Sequence, residues 1–224
     1  MTITMLALFT NCSRNKSGGA ESETYAHHYS EVFSESSYLN WQANFPENWE
    51  VVDMDGQRVL HLIRAGSFGK IRRPSSYNIL SSPDVTDFEL TVEARCLEDT
   101  AVKGRDLCLF FGFQDSLHFY YTHVSNDVHI YHNMIGIVNG TDRVSIANTL
   151  DSPEKARLID DQWHRIRVER KVDNGSIKVF IDDMEEPIHS ITDSALTHGR
   201  VGLGSFDDFG LFRNFQLKYN LHNE

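Results

Sequence analysis

Residues 161–182 read DQWHRIRVERKVDNGSIKVFID. Residues 163–170 and 176–182 within them both alternate apolar and polar side chains, the pattern of strands with one dry and one wet face. The residues between, Val172-Asp173-Asn174-Gly175, end on Asn-Gly, a pair that tolerates the positive φ of a tight hairpin turn. The segment therefore predicts two antiparallel strands. The same alternation extends outward on both sides.

Upstream, residues 87–94 read DFELTVEA, which sends Phe88, Leu90, Val92 and Ala94 one way and Asp87, Glu89, Thr91 and Glu93 the other. Residues 58–64 (RVLHLIR) form another short run. Residues 107–113 and 117–124 are joined by Gln114-Asp115-Ser116 as a tight hairpin. Downstream, residues 201–206 and 212–219 complete the series. From residue 29 onward no run sustains a 3.6-residue period. Many short strands with turn signals roughly every 8–12 residues predict an all-β fold of two stacked antiparallel sheets.

The 224 residues suit one such domain with a tail. The net charge of −11 argues against nucleic acid, because releasing counterions from phosphates needs a positive face. It also disfavours simple adsorption to an anionic membrane. Of the three cysteines, Cys12 stands apart at the N-terminus. Cys96 and Cys108 either pair or sit as two small buried hydrophobes, the reading we favour.

Residues 1–10 (MTITMLALFT) are apolar and too few to span a bilayer. They run into Asn11-Cys12-Ser13 and then a polar stretch rich in Gly, Ser and charge. This layout resembles the end of a bacterial lipoprotein signal, although Asn11 is larger than the usual small residue and no basic segment precedes the run. The resemblance implies a signal remnant over residues 1–12, lipidation at Cys12, a flexible tether over 13–28 and a folded domain over 29–220. It places the protein at a cell envelope, as a periplasmic or cell-surface lipoprotein held to the membrane only by its lipid.

The strings DQWHRIRVER (161–170), GSIKVFIDD (175–183), GRVGLGSF (199–206) and FRNF (212–215) together resemble the C-terminal strands of the concanavalin A-like lectin/glucanase superfamily. The closest likeness is to laminin G-like modules and to secreted bacterial domains related to family 16 glycoside hydrolases. The resemblance covers residues 30–220 and implies a jelly-roll sandwich engaged in glycan recognition or processing. Within that fold we expect Trp163 to be a buried core anchor, and glycines 199, 202 and 204 to turn the chain at a sheet corner.

A retaining glycosidase needs two carboxylates about 5–5.5 Å apart. The nearest arrangement is Glu89-Thr91-Glu93, where threonine stands in the central place and the glutamates lie about 13 Å apart along a strand. Their side reads as a charged outer face. Asp182-Asp183-Met184-Glu185-Glu186 reads as a solvated turn before Pro187. Residues 118–140 (HFYYTHVSNDVHIYHNMIGIVNG) are richer in site chemistry. Imidazole and phenol groups offer a sugar both hydrogen bonds and a stacking surface, and they can also move protons. Alternation puts His118, Tyr120 and Thr122 on one face and Phe119, Tyr121 and His123 on the other. A turn at Ser125-Asn126-Asp127 would bring His129, Tyr131 and Asn133 back alongside.

The ligand-binding candidates are thus His118, Tyr120, Tyr121, His123, His132 and Asn133, with no catalytic residue assigned. The competing reading is polar decoration of a half-wet sheet. Asp207 and Asp208, after a glycine-rich strand, are the candidates for a calcium site. The leading expectation is an envelope-anchored module that binds a polysaccharide or oligosaccharide. One alternative is a glycoside hydrolase or polysaccharide lyase using the His/Tyr/Asn cluster with one or more of Asp207, Asp208 and Arg105. The other is a laminin G-like protein-interaction module.

Overall fold

The computed structural model describes residues 24–223. Fifteen strands follow one another: β1 (His27–Glu31), β2 (Trp41–Ala43), β3 (Trp49–Met54), β4 (Gln57–Leu62), β5 (Ser76–Leu80), β6 (Val85–Cys96), β7 (Asp106–Asp115), β8 (His118–Ser125), β9 (Met134–Asn139), β10 (Val144–Asn148), β11 (His164–Lys171), β12 (Ser176–Ile181), β13 (His189–Thr192), β14 (Arg200–Ser205) and β15 (Gly210–Leu221). They build an eight-stranded sheet in the order β13-β12-β11-β6-β15-β4-β3, with β1 added on β15, and a seven-stranded sheet in the order β10-β9-β8-β7-β14-β5-β2. All the strand pairings are antiparallel. The expected two-sheet, all-β sandwich is what the chain forms.

The core lies between the sheets. The eight-stranded sheet contributes Phe88, Leu90, Val92, Ile166, Val168 and Phe212, and the seven-stranded sheet contributes Leu109, Phe111, Tyr120, Ile135, Val201 and Leu203. Phe88 and Phe111 meet edge to face across the gap with ring centroids 5.9 Å apart. Full burial of each such side chain stabilises the fold by about 1.5–3 kcal/mol. β11 and β12 pair as the hairpin read from residues 161–182, and Gly175 takes the positive φ (70°) in their turn. On β6 the apolar residues face the core, while Glu89 meets Lys218 at 2.8 Å and Glu93 meets Arg213 at 2.7 Å on the outside. The glutamates are thus paired on a charged outer face. Cys96 and Cys108 are free, buried thiols, and burial pushes Cys96 up to about 11.

Three expectations are corrected. Trp163 is half-buried, not a core anchor, and lies under the Arg213 guanidinium at 4.0 Å. The reason is alternation: His164, Ile166, Val168 and Arg170 take the buried positions of β11, which turns residue 163 outward. Gly202 and Gly204 do not make a corner. They sit in the run of β14, where a Cβ on Gly204 would lie 2.1 Å from the Ser76 carbonyl oxygen, so they permit close strand approach. The return strand after β8 begins at Met134, later than expected, and residues 126–133 form a loop closed by a bridge between His129 and His132.

The fold holds one histidine in an unfavourable place for charge. His189 on β13 is buried, and burial followed by the charge of Lys155 pushes it down to about 4. The unfolded chain therefore binds a proton that the native chain refuses between about pH 6.5 and 4, so stability falls as pH falls through that window. In chemical denaturation across that range, His189→Gln should lose less stability on acidification than the wild type, by up to about 3 kcal/mol. Parallel profiles for the two proteins would contradict this.

Candidate functional site

The seven-stranded sheet is apolar on both faces. Its outer face carries Tyr77 and Ile79 from β5, Cys108, Phe110 and Phe113 from β7, and Phe119, Tyr121 and His123 from β8. Met134 and Val138 of β9 and Phe206, just past β14, complete this second layer. A Cβ on Gly136 would meet the Tyr121 ring at 2.5 Å, so the ring lies flat over its cross-strand neighbour. The segment between β4 and β5 runs across part of this face. Ile71 packs on the apolar layer, and Phe68 rests on Phe206 with centroids 5.3 Å apart. The segment is tied to the β9–β10 turn, since the Arg143 N–H donates to the Arg72 carbonyl at 2.9 Å and the Arg72 N–H to Asp142 Oδ1 at 2.8 Å.

One end of the face holds a buried charged cluster. Asp106, fully buried, accepts from the Phe206 N–H at 2.7 Å and the Ser205 hydroxyl at 3.1 Å, which fixes the turn after β14. Its own N–H donates to Asp208 Oδ2 at 2.7 Å. His123 donates from Nδ1 to the Tyr131 carbonyl at 2.6 Å and turns Nε2 toward Asp106 Oδ2 at 3.5 Å. That nitrogen has no hydrogen-bond partner among the described residues. Burial works to raise the Asp106 carboxyl, but the His123 charge and the Phe206 hydrogen bond hold it below the usual range. Burial and the neighbouring Asp106 charge push Asp207 up to about 6 and Asp208 up to about 7. Oxygens of Asp106, Asp207 and Asp208 lie within 4.8 Å of one another, a donor set that could hold a metal.

Arginines cover the cluster. Arg143 stacks over Phe206 at 3.9 Å and Tyr131 at 4.7 Å, and Arg72 over Phe68 at 3.8 Å and Phe206 at 4.6 Å. Beyond the crossing segment the outer face opens into a cleft of roughly 310 Å³. Tyr77 and Phe113 form its floor, with ring centroids 5.3 Å apart, and Gln42, Asn44, Gln114 and Arg200 stand around them.

The six sequence candidates are divided by this arrangement. Tyr121, His123 and His132 come together, with His123 and His132 centroids 5.4 Å apart. His132 is half-buried beside Asp127, and burial and His123 lower its pKa. Tyr120 lies in the inter-sheet core, bonded through its hydroxyl to Asp193, and burial pushes it up to about 12. Asn133 is interior: in a left-handed conformation (φ 47°) it donates to Thr149 Oγ1 at 3.1 Å and the Lys155 carbonyl at 2.6 Å. His118 lies at the opposite end, paired with Asp115 near the cleft. Asp207 and Asp208 do converge, on Asp106. Arg105 is buried and donates to the Cys96 carbonyl at 2.7 Å.

Sequence reasoning passed over Asp106, Arg72, Arg143 and the whole cleft. A carboxylate opening the otherwise apolar run LCLFFGF was the available signal for Asp106. The cleft residues come from or next to four strands, β2, β5, β7 and β14, and Arg72 and Arg143 from the β4–β5 and β9–β10 connections, so they carry no local pattern.

No protein-family model and no curated protein sequence matches the chain. Solved structures do. A carbohydrate-binding module, CBM66 from Bacillus subtilis, superposes with TM-score 0.56 at 17% identity, over 80% of this chain and 95% of that one. The lectin UEA-II complexed with galactose gives 0.54 at 9% identity, over 88% and 100%. The exoplasmic/lumenal domain of VIP36, in a form bound to Ca2+ and Man3GlcNAc, gives 0.50 at 11% identity, over 88% and 92%. In fold, the chain is a concanavalin A-like β-sandwich.

Proposed function

We propose that the protein is a glycan-binding module whose ligand lies on the outer face of the seven-stranded sheet. The observation that carries this is the cleft. It pairs an aromatic floor, Tyr77 and Phe113, with amides and a guanidinium at its edge. Sugars present apolar ring faces and in-plane hydroxyls, so a flat aromatic flanked by directional donors and acceptors suits them. Galactose on UEA-II and Man3GlcNAc on the VIP36 domain support the same reading by analogy of fold. In calorimetric titration against a panel of neutral and acidic oligosaccharides, Tyr77→Ala should weaken the best ligand by about tenfold, a loss of ~1.4 kcal/mol. Gln114→Ala, at an exposed position, should weaken it less and leave the melting temperature unchanged. A wild type that binds no sugar, or variants that bind like it, would end this reading.

A cation, calcium by the hardness of the donors, completes the charged cluster in this proposal. Burial and the ionised Asp106 push Asp207 and Asp208 toward protonation. A bound cation would relieve that repulsion, which Arg72, 3.9 Å from Asp207, meets only at one edge. Calcium accepts such oxygen donors. The Ca2+-bound form of the VIP36 domain supports the idea by analogy of fold only. Millimolar calcium should raise the melting temperature by a few degrees through mass action, and Asp208→Asn should lose the increment. An unchanged melting temperature in the wild type would reject a cation here.

The cell-envelope address rests on the sequence alone, because Cys12 and residues 1–23 lie outside the described residues. The apolar run before Cys12 and the polar stretch after it support lipidation at that cysteine. Mass spectrometry of the membrane fraction should find Cys12 lipidated. An unmodified Cys12 on a soluble protein would refute the anchor.

A further inference from the structure

The outer face of the seven-stranded sheet departs from the rest of this acidic protein. The chain carries a net charge of −11, yet Arg72, Arg73, Arg143 and Arg200 all gather on this one face. Each guanidinium lies against an aromatic ring. The distances are 3.8 Å for Arg72 on Phe68, 3.9 Å for Arg143 on Phe206, 5.4 Å for Arg200 on Phe113 and 5.9 Å for Arg73 on Tyr77.

Stacking fixes the plane of a guanidinium and leaves its N–H edge free to donate. Among the described residues, Arg73, Arg143 and Arg200 form no ion pair with a carboxylate, and Arg72 has only Asp207 at 3.9 Å. Nη1 of Arg73 and Nη1 of Arg143 are out of contact with solvent and have no hydrogen-bond partner. Arg200 reaches only the Gln42 side-chain oxygen, at 3.4 Å, and stands at the rim of the aromatic cleft. Oriented guanidinium forks without a carboxylate partner match a planar or tetrahedral oxyanion, which takes two parallel hydrogen bonds from each fork. A neutral sugar would leave the charge of these guanidinium groups without a counter-ion, and hydrogen bonds between ionised partners are the stronger kind.

We infer that the ligand of this face is an anionic glycan, recognised through carboxylate or sulfate groups by Arg143 at the covered end and Arg200 in the cleft. The inference rests on the glycan-binding reading above and adds the charge of the ligand to it. The face supplies two kinds of contact along its length. Tyr77 and Phe113 stack the sugar ring, and the arginines take its anionic substituents.

The experiment measures binding of matched oligosaccharides by calorimetry at fixed salt. One pair is an oligogalacturonate and its carboxyl-reduced counterpart. The other is a sulfated glycosaminoglycan oligosaccharide and its desulfated form. At least one anionic member should bind about tenfold or more tighter than its neutral partner, with affinity falling as salt rises. Arg143→Gln and Arg200→Gln should each erase most of that preference while changing the neutral partner's affinity far less. Arg200→Lys should restore only part of it, because lysine keeps the charge and loses the fork. Circular dichroism and melting temperature report whether the half-buried Arg143 variant is folded, and Arg200→Gln provides the independent arm. Preference for the carboxylate pair or for the sulfate pair identifies the anion, and either result supports the inference. Equal affinity for anionic and neutral members, or a preference that survives in both glutamine variants, overturns it while leaving glycan binding in place. Absence of binding to all four sugars overturns the inference, and the wider oligosaccharide panel then decides whether glycan binding falls with it.

Discussion

A strand sends successive side chains to opposite faces, and in the seven-stranded sheet both faces are apolar. That constraint governs the rest of the molecule. On β8, Tyr120 and Val124 must seal the sandwich, while Phe119, Tyr121 and His123 must fill a second layer on the outside. A one-residue slip would exchange the two sets and open both. The outer layer then needs its own cover, which the β4–β5 segment provides over one end and leaves off at the other. The covered half and the open cleft are consequences of how far that segment reaches.

The covered half is also where charge is buried, and its arrangement follows from one carboxylate. Asp106 opens β7 at full burial, a position that isolated charge tolerates poorly. It is held by the Phe206 N–H, the Ser205 hydroxyl and the facing His123 ring. The same contacts set the turn after β14, and that turn delivers Asp207 and Asp208 beside it. Burial first, and then the charge of the ionised Asp106, raises both of them. Removing one member of such a network leaves the others uncompensated, so these residues act as a unit.

The fold was legible in the sequence wherever two-residue alternation met a turn signal. The Asn174-Gly175 hairpin and the split of β6 into Phe88, Leu90, Val92 and Ala94 against Glu89 and Glu93 are both local patterns, and both appear as read. Trp163 failed because composition favours burying tryptophan while the phase of β11 turns that position outward. The candidate site was legible in part. His123 and His132 do meet, and Asp207 and Asp208 do meet a third acid. Tyr120 and Asn133 were drawn in by proximity in sequence, which a strand converts into opposite faces and a long loop converts into interior turns. Arg72, Arg143 and the cleft residues were out of reach, since only the sheet order, with β7 beside β14 and β14 beside β5, brings them together.

The two outer faces of the sandwich differ in character. On the eight-stranded sheet the exposed charges find one another: Glu89 with Lys218, Glu93 with Arg213, Asp87 with Lys171. These three pairs neutralise one another on that face. On the seven-stranded sheet, Tyr121 Oη, His123 Nε2 and Nη1 of both Arg73 and Arg143 lack hydrogen-bond partners although they are out of contact with solvent. Each such group costs on the order of 1–3 kcal/mol when left unmet. The eight-stranded sheet carries the same kind of unmet atom at Nε of Arg58 and Arg95, so this feature alone does not set one face apart. Because those atoms are out of contact with solvent, what the seven-stranded face offers an outside partner is the open cleft, with Tyr77, Gln114 and Arg200 along it.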